Sequence, residues 1–226
     1  MRPICLLILA GCLAATARAQ VVSLDEGSFT LTRSGERLGR EDFSIRSSAS
    51  TGGPPFVAHA VVSIGTRRIE PRLNADSSGG VFNYDTEIRE NGRVSVTYSG
   101  TSARDHYQAR TRRPDGESLR EFRLPPGTVA VEDDVVHQLW FIARRGPGAI
   151  VPVLAPLRNV VETVRVELVG TENLTLDSRD FRARHLRLRT EGSGATRDVW
   201  VDASGHLLKA EIPAARLVAV REEPPL

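Results

Sequence analysis

Five histidines stand beyond the first nineteen residues: His59, His106, His137, His185 and His206. None pairs with another at i+2 on a strand or at i+4 on a helix, so no local metal site is encoded and no cofactor is expected. Asp105 and His106 are adjacent, and neighbours on a strand point to opposite faces, which separates that acid from that base. Asp133 and Asp134 precede His137 by four and three residues, a spacing at which a carboxylate can orient a histidine base. The same two acids would also compensate a helix N-terminus, and this second reading is the one adopted. There is no Gly-x-Ser-x-Gly elbow, no Ser-x-x-Lys pair and no phosphate-cradling glycine pattern. Paired carboxylates for glycoside chemistry would come from distant strands, and spacing does not single them out among 28 acids. No catalytic residue is assigned.

The aromatic residues point to binding rather than catalysis. Phe82, Tyr84, Val96 and Tyr98 fall on the inward stripes of one predicted hairpin, and Val136 and Trp140 fall on a predicted helix. Together they could line an apolar ligand cavity, with phenol tips reaching a polar headgroup at its rim. The competing reading is the ordinary core between sheet and helix.

The elements that must position these residues are mostly strands. Apolar and polar residues alternate through Phe29–Leu31, Phe43–Ile45, Ala58–Ile64, Phe82–Ile88, Val94–Tyr98 and Val164–Leu168, with turn signals between the runs. A loop is expected from Gly35 to Gly39. Asn91-Gly92 is a strong two-residue hairpin signal, and Pro114-Asp115-Gly116 is a second turn. Near residues 179–190 the apolar parity changes from Phe181 and Ala183 to Leu186 and Leu188, so a β-bulge is expected near His185. One segment breaks the period. From 133 to 145 the apolar residues follow helical spacing, two acids open the run, and two arginines with Gly146 and Pro147 close it. Its apolar arc is wide, so the helix is expected to be buried on more than one side. The fold class is therefore mainly β: an antiparallel meander forming a strongly curved sheet or incomplete barrel, with one helix at about 133–145 packed in its concave face.

The first residues resemble a secretory signal. Arg2 is followed by an apolar run, Ile4 to Ala15, and by Ala17-Arg18-Ala19 as a cleavage signal. Residues 1–19 are read as a signal peptide and 20–226 as a single β-rich domain, located in the periplasm or secreted. A competing reading takes Leu9-Ala10-Gly11-Cys12 as a lipobox, with the protein tethered to a membrane through Cys12. Cys5 and Cys12 are the only cysteines, so cleavage after Ala19 leaves no thiol and no disulfide. It also removes Arg2 and Arg18, leaving 28 basic residues against 28 acidic ones. That balance disfavours nucleic acid as a partner. No later apolar run is long enough to span a bilayer.

The run Val199-Trp200-Val201-Asp202-Ala203-Ser204-Gly205-His206-Leu207-Leu208-Lys209 resembles the closing hairpin of exported bacterial β-rich proteins, with the W-x-D-x-x-G-x-L pattern seen in the wider group of Lol lipoprotein carriers. The resemblance implies an incomplete barrel wrapped over a helix, with acyl chains held in the concavity. It transfers no catalytic or binding residue. The expectation is a non-enzymatic exported protein that binds an apolar, acyl or lipid ligand in the cell envelope. The alternative is a structural or assembly module offering sheet edges to an envelope protein partner, and the third reading is a hydrolase.

Overall fold

Asn91 and Gly92 both take positive φ, 51° and 76°, as a two-residue hairpin turn requires. The turn joins β5 (Val81–Glu90) to β6 (Arg93–Ala103) in the computed structural model, which describes residues 21–48, 55–103 and 106–225. The signal segment, both cysteines and Asp105 lie outside the described residues. Similar short turns build one long meander: β1 (Val21–Arg33), β2 (Glu36–Ser48), β3 (Phe56–Ile64), β4 (Arg67–Ala75), β5, β6, β7 (His106–Arg113) and β8 (Gly116–Arg123). A second meander follows the interior segment: β10 (Ile150–Ala155), β11 (Val160–Leu176), β12 (Arg179–Thr190), β13 (Thr196–Val201), β14 (Leu207–Ile212) and β15 (Leu217–Arg221). The loop expected from Gly35 to Gly39 is only the Ser34-Gly35 turn, and Gly39 lies within β2.

The two meanders join along one seam. β1 pairs antiparallel with β15, from Phe29 opposite Arg221 to Arg33 opposite Leu217. The result is a single fifteen-stranded sheet that runs from β8 through β1 and β15 to β10 and does not close. Its last strand, β9 (Val129–Ala130), pairs parallel with β10. The chain passes from β8 through β9 into the concave side, where the Val81 N–H donates to the Thr128 carbonyl at 2.7 Å. The inward residues of both meanders and the apolar residues of 129–143 form one continuous core. This is the β-rich, open barrel-like architecture with an internal helix that the alternation and the wide apolar arc require. No helix among the described residues is long and apolar enough to cross a membrane.

Three local expectations are corrected. The helix is α1 (Leu139–Ala143), five residues long, with turns on both sides rather than helix throughout 133–145. Asp134 has φ +62°, a left-handed conformation that a continuing helix excludes. Phe82 does not face inward. Asn74 pairs with Asn83 and Ala75 with Val81, which leaves Phe82 as the extra residue of a bulge, 48% exposed. The parity change in β12 has a different origin too. The bulge lies on β11, between Leu168 and Gly170, opposite His185 and Leu186. β12 itself buries opposite faces in its two halves: Leu186 and Leu188 in the main core, and Ala183 in a second cluster with Leu176, Trp200 and Leu208.

Candidate functional site

The interior segment begins with a carboxylate that faces little water. Glu132 is buried, with Oε1 accepting the Asp133 N–H at 3.0 Å and Oε2 accepting the Leu157 N–H at 2.8 Å. Burial pushes its pKa up to about 7, against the backbone N–H groups of Leu157 and Asp133, which hold it down. The Glu132 N–H donates to Gln138 Oε1 at 2.6 Å, and the Gln138 amide reaches the Tyr84 hydroxyl at 3.4 Å. Beyond it Tyr84 and Tyr98 meet edge to face, and the Tyr98 and Tyr107 hydroxyls lie 3.5 Å apart. Burial raises all three phenols, Tyr98 to about 12. A line of polar groups thus runs from Glu132 into the core.

Beside Glu132 the surface is recessed. A recess of about 300 Å³ is lined by Val131, Val135, Leu139, Ile212 and Leu217, with Ala214, Ala215, Asp133, Asp134 and Arg197 completing its wall. The carboxylates there already have partners. Asp133 lies 3.2 Å from Arg158, and Asp134 lies 2.9 Å from Arg67 and 3.6 Å from Arg33. The chemistry on offer is an apolar surface with charge at one side, which suits an amphiphile.

The sequence-selected residues divide. Tyr84, Tyr98, Val136 and Trp140 are buried, and Val96 is partly buried against the same core. Their phenol tips meet one another and Gln138 inside the core rather than reaching a rim. Trp140 packs edge-on against Phe56 and Phe141, at 6.2 and 5.0 Å between ring centroids, beneath the Arg144 guanidinium. Phe82 lies apart on the outer side, at a separate hollow of about 250 Å³ with Asp76, His106 and Pro125.

His137 is oriented by a carboxylate, but by Glu41 of β2 rather than by Asp133 or Asp134. Glu41 Oε1 lies 2.7 Å from His137 Nδ1 and accepts the His137 N–H at 2.8 Å, while Oε2 accepts the Val136 N–H at 2.7 Å. Both side chains are 0% exposed. Glu41 therefore serves the free backbone donors ahead of α1, the task that the sequence reading gave to the aspartates. Its signal was readable as a carboxylate in register with Phe43 and Ile45 on an apolar stripe.

A second polar cluster lies on the outer face. His185 places Nδ1 2.8 Å from Glu172 and Nε2 2.8 Å from Asp198, and its ring stacks on Trp200 at 4.2 Å. The Trp200 indole donates to Glu172 at 3.0 Å, which with His185 holds the Glu172 carboxyl below its usual range. Every hydrogen-bonding atom of His185 is occupied, so the cluster ties the β11–β12 hairpin to the sheet.

No family model and no curated protein matches the chain. Among solved structures it is similar to the β-barrel-like protein of domain of unknown function DUF1849 from Brucella abortus. The TM-score is 0.58 at 10% identity, over 86% of this chain and 93% of that one. It is also similar to a DUF1089 family protein from Pseudomonas aeruginosa, with a TM-score of 0.36 at 13% identity, over 91% and 95% of the two chains. The first likeness identifies a β-barrel-like fold and nothing finer.

The raised Glu132 carboxyl carries a pH prediction. Between an unfolded pKa near 4.5 and a folded value of about 7, the native state holds a proton that the unfolded state has lost. Stability then falls as pH rises through that window and levels off above it, by at most roughly 3 kcal/mol. Melting temperatures from about pH 5 to about pH 8 should therefore drop more for the wild type than for Glu132→Gln. Parallel curves would show that Glu132 does not titrate there.

Proposed function

We propose that the protein is an exported, non-enzymatic binding protein of the bacterial cell envelope that holds the apolar chain of a ligand in the recess beside Glu132. The observation that carries this reading is the recess itself: about 300 Å³ of space walled by Val131, Val135, Leu139, Ile212 and Leu217. That volume is at the low end for small-molecule sites. The signal-like first nineteen residues support export, and the resemblance of the 199–209 hairpin to Lol lipoprotein carriers supports an acyl ligand. The filled space around Trp140 supports a seat at this end of the barrel over one at the helix–sheet interface. The burial of the Glu41–His137 couple supports a non-catalytic role, because a substrate has no path to it.

The alternative of an edge-offering assembly module is less well supported. The two end strands of the sheet are β8 and the two-residue β9, and β8, the longer, carries Glu117, Arg120, Glu121 and Arg123; charge on an edge strand opposes pairing with another chain.

The test uses N-phenyl-1-naphthylamine, an uncharged apolar fluorophore. Its fluorescence should rise saturably with the wild-type protein. Ala215→Trp, which fills the recess from a half-buried position on its wall, should abolish the rise while preserving the circular dichroism spectrum. No saturable signal with the wild type, or an undiminished one with Ala215→Trp, would overturn the proposal.

A further inference from the structure

β13 buries Val199 and Val201 in the main core, and Arg197 shares their side of the strand, opposite Leu188. An arginine therefore continues an apolar inward stripe and projects into the recess. Its side chain is only 17% exposed. Its one ion-pair contact among the described residues is Asp133 at 3.9 Å, beyond hydrogen-bond distance. Asp133 is held more closely by Arg158, at 3.2 Å, and Asp134 by Arg67, while both oxygens of Glu132 accept backbone N–H groups. The acids of the wall are thus engaged, and the guanidinium donors of Arg197 are not. None of its guanidinium nitrogens is shut off from solvent, so the donors face the recess and are available to an incoming group.

We infer that Arg197 anchors the headgroup of the ligand, and that the ligand is a single-chain amphiphile with an anionic oxyacid head. This rests on the proposed seat of the apolar chain. A guanidinium fork fits the two oxygens of a carboxylate or phosphate, and it stands beside the apolar wall that would take the chain. The volume of the recess suits one short chain rather than the two of a phospholipid.

Calorimetric titration of the purified protein with decanoate, decyl phosphate, decanol and decylammonium, each as a monomer, separates the possibilities. A charge-assisted hydrogen bond contributes about 1.5–3 kcal/mol, so one of the two anions should bind roughly tenfold to a hundredfold more tightly than decanol, and decylammonium no better than decanol. Which anion leads identifies the head as carboxylate or phosphate. Arg197→Gln should remove that preference, so that neither anion binds that variant more tightly than decanol does, and Arg197→Lys should retain part of it. The wild-type headgroup series stands alone if a variant fails to fold. Equal binding of decanoate, decyl phosphate and decanol, or a preference that survives in folded Arg197→Gln, overturns the headgroup assignment while the apolar seat remains. Failure of all four to bind overturns both.

Discussion

Asp25→Ala is expected to destabilise the fold by about 3–5 kcal/mol, because it strands Arg221 as a buried, unpaired charge. The Arg221 side chain is 2% exposed and that of Asp25 is 0% exposed, with Nη1 2.7 Å from Asp25 Oδ1. The same guanidinium donates to the Leu207 carbonyl at 3.1 Å and to the Glu26 carbonyl, and Asp25 accepts the Leu207 N–H at 3.0 Å. These bonds lie beside the β1–β15 seam, the contact that makes two meanders one sheet. Burial raises the Asp25 pKa even beside Arg221, so desolvation outweighs the attraction. The pair therefore positions the seam more than it stabilises it. Replacing both residues, as in Asp25→Leu with Arg221→Met, should recover most of the loss. Urea unfolding of the three proteins measures this. A single variant within about 1 kcal/mol of the wild type would show that the seam holds without the pair.

What could be read from the sequence was whatever depends on neighbours along the chain. Asn91-Gly92 specifies its hairpin because both residues accept positive φ, and the Phe29, Ala58 and Val164 stripes alternate because one face of each strand is dry. What could not be read depends on partners far away. The turn geometry at 133–134 is stabilised by Arg33 and Arg67 from other strands, so local spacing overextended the helix. Phe82 turns outward against the alternation because one bulge reverses every side chain up to the strand end. The two halves of β12 face different clusters, which a single strand read alone cannot distinguish from a bulge.

The candidate site was less legible than the fold, for a related reason. The aromatic stripes belong to the core, because large apolar residues mark filled space. The polar features of the interior, the buried Glu41–His137 couple and the recess at Arg197, are marked instead by polar residues where the alternation calls for apolar ones. Glu41 in register with Phe43 and Ile45, and Arg197 in register with Val199 and Val201, were such anomalies in plain view. In an arginine-rich chain they looked like ordinary surface charge. Only the register of β12 against β13 shows Arg197 to be inward.

Trp140→Ala is the second large effect, expected to cost about 3–5 kcal/mol. α1 has five residues, far too few to persist on its own, so its order comes from packing. Trp140, 7% exposed, meets Phe56 and Phe141, while Arg144 spans Phe56 and Trp140 with its guanidinium 4.4 and 4.8 Å from the two ring centroids. Truncation would leave a hole that Phe56 cannot fill without moving β3. The loss falls toward the lower end of the range if Arg144, whose pKa burial lowers, regains water in the space vacated. Trp200, on the outer face, then remains as the only tryptophan and reports global unfolding independently of the interior segment. Its fluorescence and the far-ultraviolet circular dichroism should shift together to a lower urea midpoint. An unchanged midpoint would mean that the interior segment does not hold the barrel. A Trp200 transition that stays put while the dichroism moves would mean that the segment unfolds separately from the sheet.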